Sequence, residues 1–241
     1  MPKAHPESRT YRALGFFLRP LLSSMVVKDW QGQENIPATG GLVVAANHVT
    51  QFDPLTFAHY LYDTGRAPKI MAKHSLWDVP VVGRVLRNTG MIPVRRGSSE
   101  ALASLTLAAE QLEAGECVAV FPEGTVTKDP EMWPMVGKTG VARLALTSRT
   151  PVVPVAQFGA HQILAPYSNK FRPWPRKKVS VHAGPPVVLD DLYDRPQDGP
   201  TLKEATARIM RAITELEAGI RGVPAPPAPY DPRSRPTTED S

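Results

Sequence analysis

The residues most able to do chemistry stand together in the segment NHVTQFDP at positions 47–54, where a histidine and an aspartate are five residues apart. A carboxylate that accepts a hydrogen bond from one imidazole nitrogen fixes the tautomer, so that the other nitrogen can take a proton from a bound hydroxyl. His48 and Asp53 are therefore a candidate general base and its orienting group. The alternative from these residues alone is that Asp53 caps a helix and His48 is an ordinary loop histidine.

The spacing of this pair requires a turn in the chain. Five residues on one α-helix correspond to about 500° of rotation, which leaves the two side chains about 140° apart on the helix surface. Residues 42–46 (LVVAA) form a short apolar run that is typical of a buried strand. Asp53 suits the N-cap and Pro54 the first turn of a helix, which predicts a helix over residues 55–64. The resulting strand-to-helix turn would bring Asp53 back towards His48.

Basic residues follow two further predicted strands. Lys73 comes after the apolar run 69–72, and Arg95 and Arg96 come after the run 91–94. A pair of guanidinium groups can bind a phosphate through two parallel hydrogen bonds. The alternative is a solvated strand end for the lysine and an unremarkable surface pair for the arginines.

A fourth loop, FPEGT at 121–125, follows the apolar run 117–121. Free N–H groups around Gly124 and Thr125 could hold an anion. Glu123 is either a ligand-binding acid or a helix cap. This loop is therefore a further candidate for substrate binding.

The composition limits the class of protein. With 241 residues, of which 42% are hydrophobic, the chain is long enough for one α/β domain with a sizeable core. A net charge of +5 and a pI near 9.4 suit anionic partners in general, including nucleic acids, phosphorylated metabolites and anionic lipids. Clustered aromatic residues on a basic face are absent, so nucleic acid is not expected. The single Cys117 excludes an internal disulfide and a multi-cysteine metal site, and its apolar surroundings indicate core packing.

Apolar strand-like runs alternate with helix-like segments along the chain. This alternation predicts an α/β fold with a single mixed sheet layered with helices. Residues 28–221 form the predicted domain, and the Pro-rich residues 222–241 are predicted to be a disordered tail. The later predicted strands are 151–158 and 177–183, and the later predicted helices are 98–115, 138–149 and 201–221, the last with a capping box at Thr201 and Glu204.

Residues 1–27 are predicted to form mobile residues followed by an amphipathic membrane-interface helical segment. The apolar stretch 11–27 contains Arg19 and Pro20 and falls short of the ~18 uninterrupted apolar residues that a membrane span needs. It also lacks a small-residue cleavage site, so we expect no cleavage. A helix packed on the domain is the alternative to a helix that places Phe16 and Phe17 among acyl chains, and the second is favoured. The stretch 169–178 (NKFRPWPRKK) is either a lipid anchor or a solvated basic loop.

The order and spacing of these blocks resemble the glycerolipid acyltransferases of the 1-acylglycerol-3-phosphate (lysophosphatidate) acyltransferase family. The resemblance covers about residues 25–190. Four blocks carry it: the N-H-x4-D motif at Asn47, His48 and Asp53, a glycine-to-arginine block at 90–95, F-P-E-G-T at 121–125, and a proline-containing strand at 152–155. The turn at Lys138, Thr139 and Gly140 also looks like a family position, with less specificity.

The resemblance implies an enzyme that moves a fatty acyl group from acyl-CoA to a hydroxyl of a lysophospholipid such as 1-acylglycerol-3-phosphate, in phospholipid synthesis. His48 would be the general base and Asp53 would stabilise the imidazolium. Acyl-CoA would be a co-substrate, with no cofactor and no metal. The partners would be the two substrates and the cytoplasmic face of a membrane, bound peripherally or monotopically, with no nucleic acid and no stable protein partner. The acceptor headgroup would be oriented by Lys73, Arg95, Glu123, Gly124 and Thr125.

One departure from the family pattern leaves the acceptor open. An arginine commonly follows F-P-E-G-T in the family, whereas this chain has Val126. Glycerol-3-phosphate, another lysophospholipid or a glycolipid are therefore alternative acceptors. A thioesterase that uses the same pair to activate water, and a non-catalytic module that binds anions through its basic residues, are alternatives of other classes. The sequence does not fix the acyl length, the glycerol position, the choice between CoA and acyl carrier protein, or the oligomeric state.

Overall fold

The computed structural model describes residues 9–95 and 98–234, apart from the side chains of residues 98–101. Its described residues form one seven-stranded sheet in the order β1-β7-β6-β2-β5-β3-β4. All strand pairs are parallel except β6 with β7. The predicted single mixed sheet is thus confirmed. The strands are β1 (Val26–Gln31), β2 (Leu42–Ala46), β3 (Pro68–Lys73), β4 (Ile92–Val94), β5 (Cys117–Val120), β6 (Val152–Phe158) and β7 (Lys177–Ala183).

Helices cover both faces of this sheet. Two elements were not predicted: β1, which directly continues the N-terminal helix and contains polar residues, and α3, which is short. The capping box expected in α6 is absent, because the Asp198 side chain accepts from the N–H of Thr201 at 3.0 Å and is the cap. The helices are α1 (Arg9–Met25), α2 (Asp53–Asp63), α3 (Pro80–Asn88), α4 (Ser98–Glu113), α5 (Gly140–Ser148) and α6 (Gly199–Arg221).

The central strand β2 divides the core into two layers. Successive side chains of a strand point to opposite faces, so Val44 joins the core beneath α1 and α2 while Val43 joins the core beneath α4, α5 and α6. All five residues of β2 are buried, as expected for a central parallel strand. Cys117 is likewise buried and free, in agreement with core packing. The end of β2, which leads into His48, is therefore packed against helices on both faces of the sheet.

The N-terminal helix α1 packs on the domain through part of its surface. Tyr11 stacks on Tyr62 of α2 with 5.8 Å between ring centroids, and Arg19 reaches Asp63 at 2.6 Å. Phe16 and Phe17 are exposed. Within the described ranges, no helix combines the length and the apolar character needed to cross a membrane. Contact of α1 with a membrane stays a prediction.

The C-terminal segment was predicted to be disordered. In the structure, the N–H of Val136 donates to the carbonyl of Tyr230 at 3.0 Å, and Met135 pairs with Tyr230 as a parallel bridge. The segment is therefore attached to the domain at Tyr230, while the disorder predicted for residues 222–241 as a whole stays a prediction. A main-chain bridge needs no apolar periodicity, which is why the sequence did not reveal it. Residues 235–241 lie outside the described residues.

Candidate active site

His48 and Asp53 meet across the turn between β2 and α2. The Oδ2 atom of Asp53 lies 3.1 Å from Nδ1 of His48 and accepts from the N–H groups of Val49 and Thr50 at 2.5 and 2.7 Å. The spacing argument predicts this contact, but the predicted N-cap is wrong. Phe52 occupies the N-cap, and Asp53 is the first residue of α2 with its side chain turned back onto the loop.

The environment of this pair suits a proton-transfer group. Asp53 is buried, which raises the pKa of its carboxyl group, while the hydrogen bonds from His48, Thr50 and Val49 act to lower it. The His48 ring stacks on Phe121 with 4.3 Å between centroids and keeps 15% of its side chain exposed. Its Nε2 makes no hydrogen bond within the described part of the chain. This nitrogen is thus available to a substrate hydroxyl.

Glu123 does not occupy the place expected of a headgroup ligand. Its Oε1 accepts from the N–H of His48 at 2.8 Å, and its Oε2 accepts from the N–H of Met135 at 3.0 Å. Burial raises the pKa of Glu123 to about 8. Both carboxylate oxygens accept hydrogen bonds from backbone N–H groups, so Glu123 holds the backbone of His48 in place. These contacts indicate a positioning role for Glu123, which does not line the cavity; its assignment to the headgroup stays a prediction.

A buried polar network behind His48 was missed by the sequence analysis. The Asn47 side chain donates to Glu217 of α6 at 2.7 Å and to the carbonyl of Gln157 at 2.9 Å, and it accepts from the N–H of Gln157 at 2.8 Å. Arg221 donates to the other oxygen of Glu217 at 3.1 Å. Burial raises the pKa of Glu217 to about 8. One signal was available, since Glu217 follows Ile213 by four residues and so lies on the apolar stripe of α6.

The His48 side chain lines a cavity of about 1300 Å³. Such a volume exceeds the ordinary range for small-molecule sites, about 300–1,000 Å³, and leaves room for long apolar chains. One wall is formed by α1, through Leu14, Gly15 and Leu18. Further apolar lining comes from α2, β3, α3 and the strand ends, including Leu55, Ala58, Ile70, Val85, Leu86, Met91 and Phe121.

Four cations line the same cavity: Arg19, Lys73, Lys138 and Arg143. Arg19 is paired with Asp63, whereas the other three form no ion pair within the described residues. Gly124 has a positive φ of 69°, and a Cβ added there would lie 2.7 Å from Nζ of Lys138, so the glycine leaves space for the lysine. Gly124 and Thr125 also line the cavity, as expected. Arg143 was missed because it lies within α5, away from any strand end.

Arg95 lies further from the end of β2, and so from His48, than Lys73 does. Its strand β4 is three positions from β2 in the sheet, so the strand ends are about 14 Å apart at ~4.8 Å per strand, whereas Lys73 on β3 is about 10 Å away. Arg95 is not part of the cavity lining and lies 2.7 Å from the His74 ring nitrogen Nε2. Arg96 lies outside the described residues. Val126 is buried, and its carbonyl accepts from the Tyr167 hydroxyl at 2.7 Å.

Across residues 9–95 and 98–234, no three His, Cys, Asp or Glu side chains converge in a way that could hold a metal ion. The side chains that line the cavity include His48, with the Asp53 carboxylate behind it, and the cations named above. This combination can bind an anionic headgroup and remove a proton from a hydroxyl.

Comparison with known proteins places the chain in a family. A family model described as Acyltransferase matches residues 29–157, more than half of the chain. A 1-acyl-sn-glycerol-3-phosphate acyltransferase of Borreliella burgdorferi is 34% identical over 131 residues, which are 54% of this chain and 50% of that protein. The enzyme of the same name from Bacillus subtilis is 29% identical over 188 residues, 77% of this chain and 85% of that protein. The chain thus spans about half the length of the first relative and most of the second.

The fold also has a counterpart among solved structures. The crystal structure of the 1-acyl-sn-glycerophosphate (LPA) acyltransferase PlsC from Thermotoga maritima superposes with a TM-score of 0.67 at 23% identity, covering 86% of this chain and 80% of that one. At this identity the likeness concerns the fold. Together with the family match over residues 29–157, it supports one conclusion: the chain belongs to the Acyltransferase family.

Proposed function

We propose that this protein transfers a fatty acyl group from acyl-CoA to a hydroxyl of a lysophospholipid such as 1-acylglycerol-3-phosphate. The observation that carries the proposal is the His48–Asp53 pair, held at 3.1 Å with His48 in the wall of an apolar cavity of about 1300 Å³. The names of the Borreliella and Bacillus relatives support the choice of acceptor. No metal and no further cofactor takes part in the proposed reaction.

The proposed step begins when Nε2 of His48 takes the proton of the acceptor hydroxyl. The hydroxyl oxygen attacks the thioester carbon and forms a C–O bond, the C–S bond then breaks, and the departing thiolate takes the proton back from the imidazolium. Asp53 stabilises the imidazolium while it exists. A cysteine acyl-enzyme is not required, and Cys117 is unsuited to form one because burial raises the pKa of its thiol to about 12.

The cations of the cavity supply the counter-charge for the acceptor phosphate. Lys138, which lies against Gly124, and Lys73 at the end of β3 are the proposed phosphate ligands, with the Thr125 loop beside them. Arg95, which sits outside the cavity lining, contributes less than the sequence suggested. These lysines could take over the part that the arginine usually following F-P-E-G-T would play.

The apolar substrates place this reaction at a membrane. We propose that α1 lies on the cytoplasmic face, with Phe16 and Phe17 among acyl chains, in a peripheral or monotopic arrangement. Three arginines and no acidic residue occur in α1, which suits an anionic lipid surface. The wall that α1 contributes to the cavity gives acyl chains a route that avoids water.

The test is a panel of lysophospholipid acceptors with one acyl-CoA, read by mass spectrometry. We expect His48→Ala to lower turnover by about 10² to 10⁴, the usual contribution of a general base. His182→Ala is the matched control, because His182 has nearly the same exposed fraction, 16%, and faces Asp29 at 3.5 Å, yet does not line the cavity. Unchanged turnover in His48→Ala would reject the proposal, and free fatty acid released without acceptor would indicate a thioesterase instead.

A further inference from the structure

The outer surface of α3 and the turn before it is unusually apolar. The short 3-10 helix His74–Asp78 leads through Val79 into α3, and four large apolar side chains along this stretch are exposed: Leu76, Val79, Val81 and Val82. We call these four residues the α3 edge. Val81 is 76% exposed. Single exposed apolar residues are normal, but a group of four adjacent ones indicates an interaction surface.

The α3 edge continues into the cavity. Residues four apart lie on the same side of a helix, so Val81 lies above Val85 and Val82 above Leu86. Val85 and Leu86 line the cavity, whereas Val81 and Val82 do not. One apolar stripe of α3 thus runs from the outside of the protein to the interior where the acyl chains would bind.

This stripe is held in place by close packing. A Cβ added at Gly83 would lie 2.2 Å from the carbonyl oxygen of Trp77, so α3 rests directly on the backbone of the preceding 3-10 helix. The N–H of Gly83 donates to the carbonyl of Val79 at 2.7 Å. The edge is therefore a fixed surface, presented at a defined angle to the cavity.

The charges around the edge indicate its partner. Arg84 and Arg87 of α3 are exposed, one exposed acid, Asp78, ends the preceding 3-10 helix, and neither α3 nor α1 contains an acidic residue. The two helices contact each other and both line the cavity. Apolar side chains flanked by arginines match a bilayer with anionic headgroups, where the chains enter the acyl region and the guanidinium groups stay with the phosphates.

We propose that the α3 edge is a second membrane-contact element, and that lipid substrates pass from an anionic bilayer into the cavity between α1 and α3. The inference rests on the proposed function and adds to it a site of entry and the lipid charge. In this arrangement α1 alone does not hold the protein on the membrane. Val81 and Val82 enter the bilayer together with Phe16 and Phe17.

The single buried cysteine allows a direct test. Cys117 is 1% exposed and burial raises the pKa of its thiol to about 12, so a maleimide fluorophore will label a cysteine introduced at Val81→Cys and leave Cys117 unlabelled. The matched control is Val188→Cys, which is 68% exposed and whose carbonyl accepts from Arg208 of α6, on the other face of the sheet. The probe is an environment-sensitive nitrobenzoxadiazole dye, and the partner is a vesicle of phosphatidylglycerol and phosphatidylcholine.

We expect the dye at position 81 to shift to the blue on vesicles and to be quenched by spin-labelled lipid chains, and the dye at position 188 to show neither effect. Val81→Gln with Val82→Gln should weaken vesicle partitioning by about a hundredfold, since two apolar side chains lose their burial. The blue shift should survive His48→Ala, because binding at the edge does not need the chemistry.

Two outcomes would overturn the inference. If position 81 shows no shift on vesicles, whether or not the protein binds them, the α3 edge is not a membrane contact. If the shift develops with protein concentration in the absence of vesicles, the edge is an interface with a second copy of the chain. Acyl transfer to a short-chain acceptor below its micelle concentration tests the proposed function separately, so the failure of one is distinguishable from the failure of the other.

Discussion

The substitution Asp53→Asn separates the charge of the orienting carboxylate from its geometry. All three donors to Asp53, namely His48 Nδ1 and the N–H groups of Val49 and Thr50, point to the single atom Oδ2. An asparagine whose amide oxygen takes the place of Oδ2 can accept the same three hydrogen bonds. The turn between β2 and α2 should therefore keep its shape, and only the negative charge beside the imidazole is lost.

The size of the effect follows from the distance. With Nδ1 and Oδ2 3.1 Å apart, the two charge centres are about 4 Å apart, which corresponds to about 4 kcal/mol at an effective dielectric constant of ~20. This energy stabilises the imidazolium only after the proton has moved. We therefore expect kcat to fall by about 10³, with little change in the acceptor KM.

Steady-state acyl transfer at several acceptor concentrations gives both constants, and thermal unfolding checks the fold. Since burial raises the pKa of Asp53, a neutral residue should leave the unfolding temperature unchanged or higher. Asp29→Asn is the matched control, because Asp29 faces His182 away from the cavity. A folded Asp53→Asn protein with kcat within tenfold of the native value would refute the role of the charge.

Further predictions concern the cations and the buried acids. Lys138→Ala should raise the KM for a phosphate-bearing acceptor more than Arg95→Ala does, because only Lys138 lines the cavity; equal effects in an acceptor titration would contradict this assignment. Glu217 has its pKa raised from 4.5 to about 8, so the folded state keeps a proton that the unfolded state releases between these values, and stability falls as pH rises through that range. In urea unfolding at several pH values, Glu217→Gln should gain stability relative to the native protein as pH rises from about 5 to 8, and a constant difference would show that Glu217 is already ionised.

Short-range patterns predicted the parts of the fold that depend on neighbouring residues. The apolar runs at β2 and β5 are buried strands with parallel neighbours on both sides, and β6, also buried, is parallel to β2; strands buried on both faces have continuous apolar sequences. The five-residue spacing of His48 and Asp53 likewise required a turn, and the turn is there. The sequence does not predict β1, because its first residues continue the apolar pattern of α1 and most of the following ones are polar.

Contacts between distant residues could not be predicted in this way. Glu217 reaches Asn47 across 170 positions of the chain. The position of Glu123 after a strand leaves a ligand-binding acid and a helix cap open, because whether its carboxylate faces a cavity or the backbone depends on the loop that packs over it. Here that loop brings the N–H of Met135 to the Glu123 carboxylate, which is buried.

The loop that carries Met135 and Val136 also connects the C-terminal segment to Glu123. The carbonyl of Tyr230 receives the N–H of Val136, the neighbouring Met135 donates to Glu123, and Glu123 in turn receives the N–H of His48. Three hydrogen bonds in series thus connect a proline-rich tail to the backbone of the base. A chain shortened after α6 would retain both hydrophobic layers and yet lose the hydrogen bond from Val136 to Tyr230, the outermost of the three that link the tail to the backbone of His48.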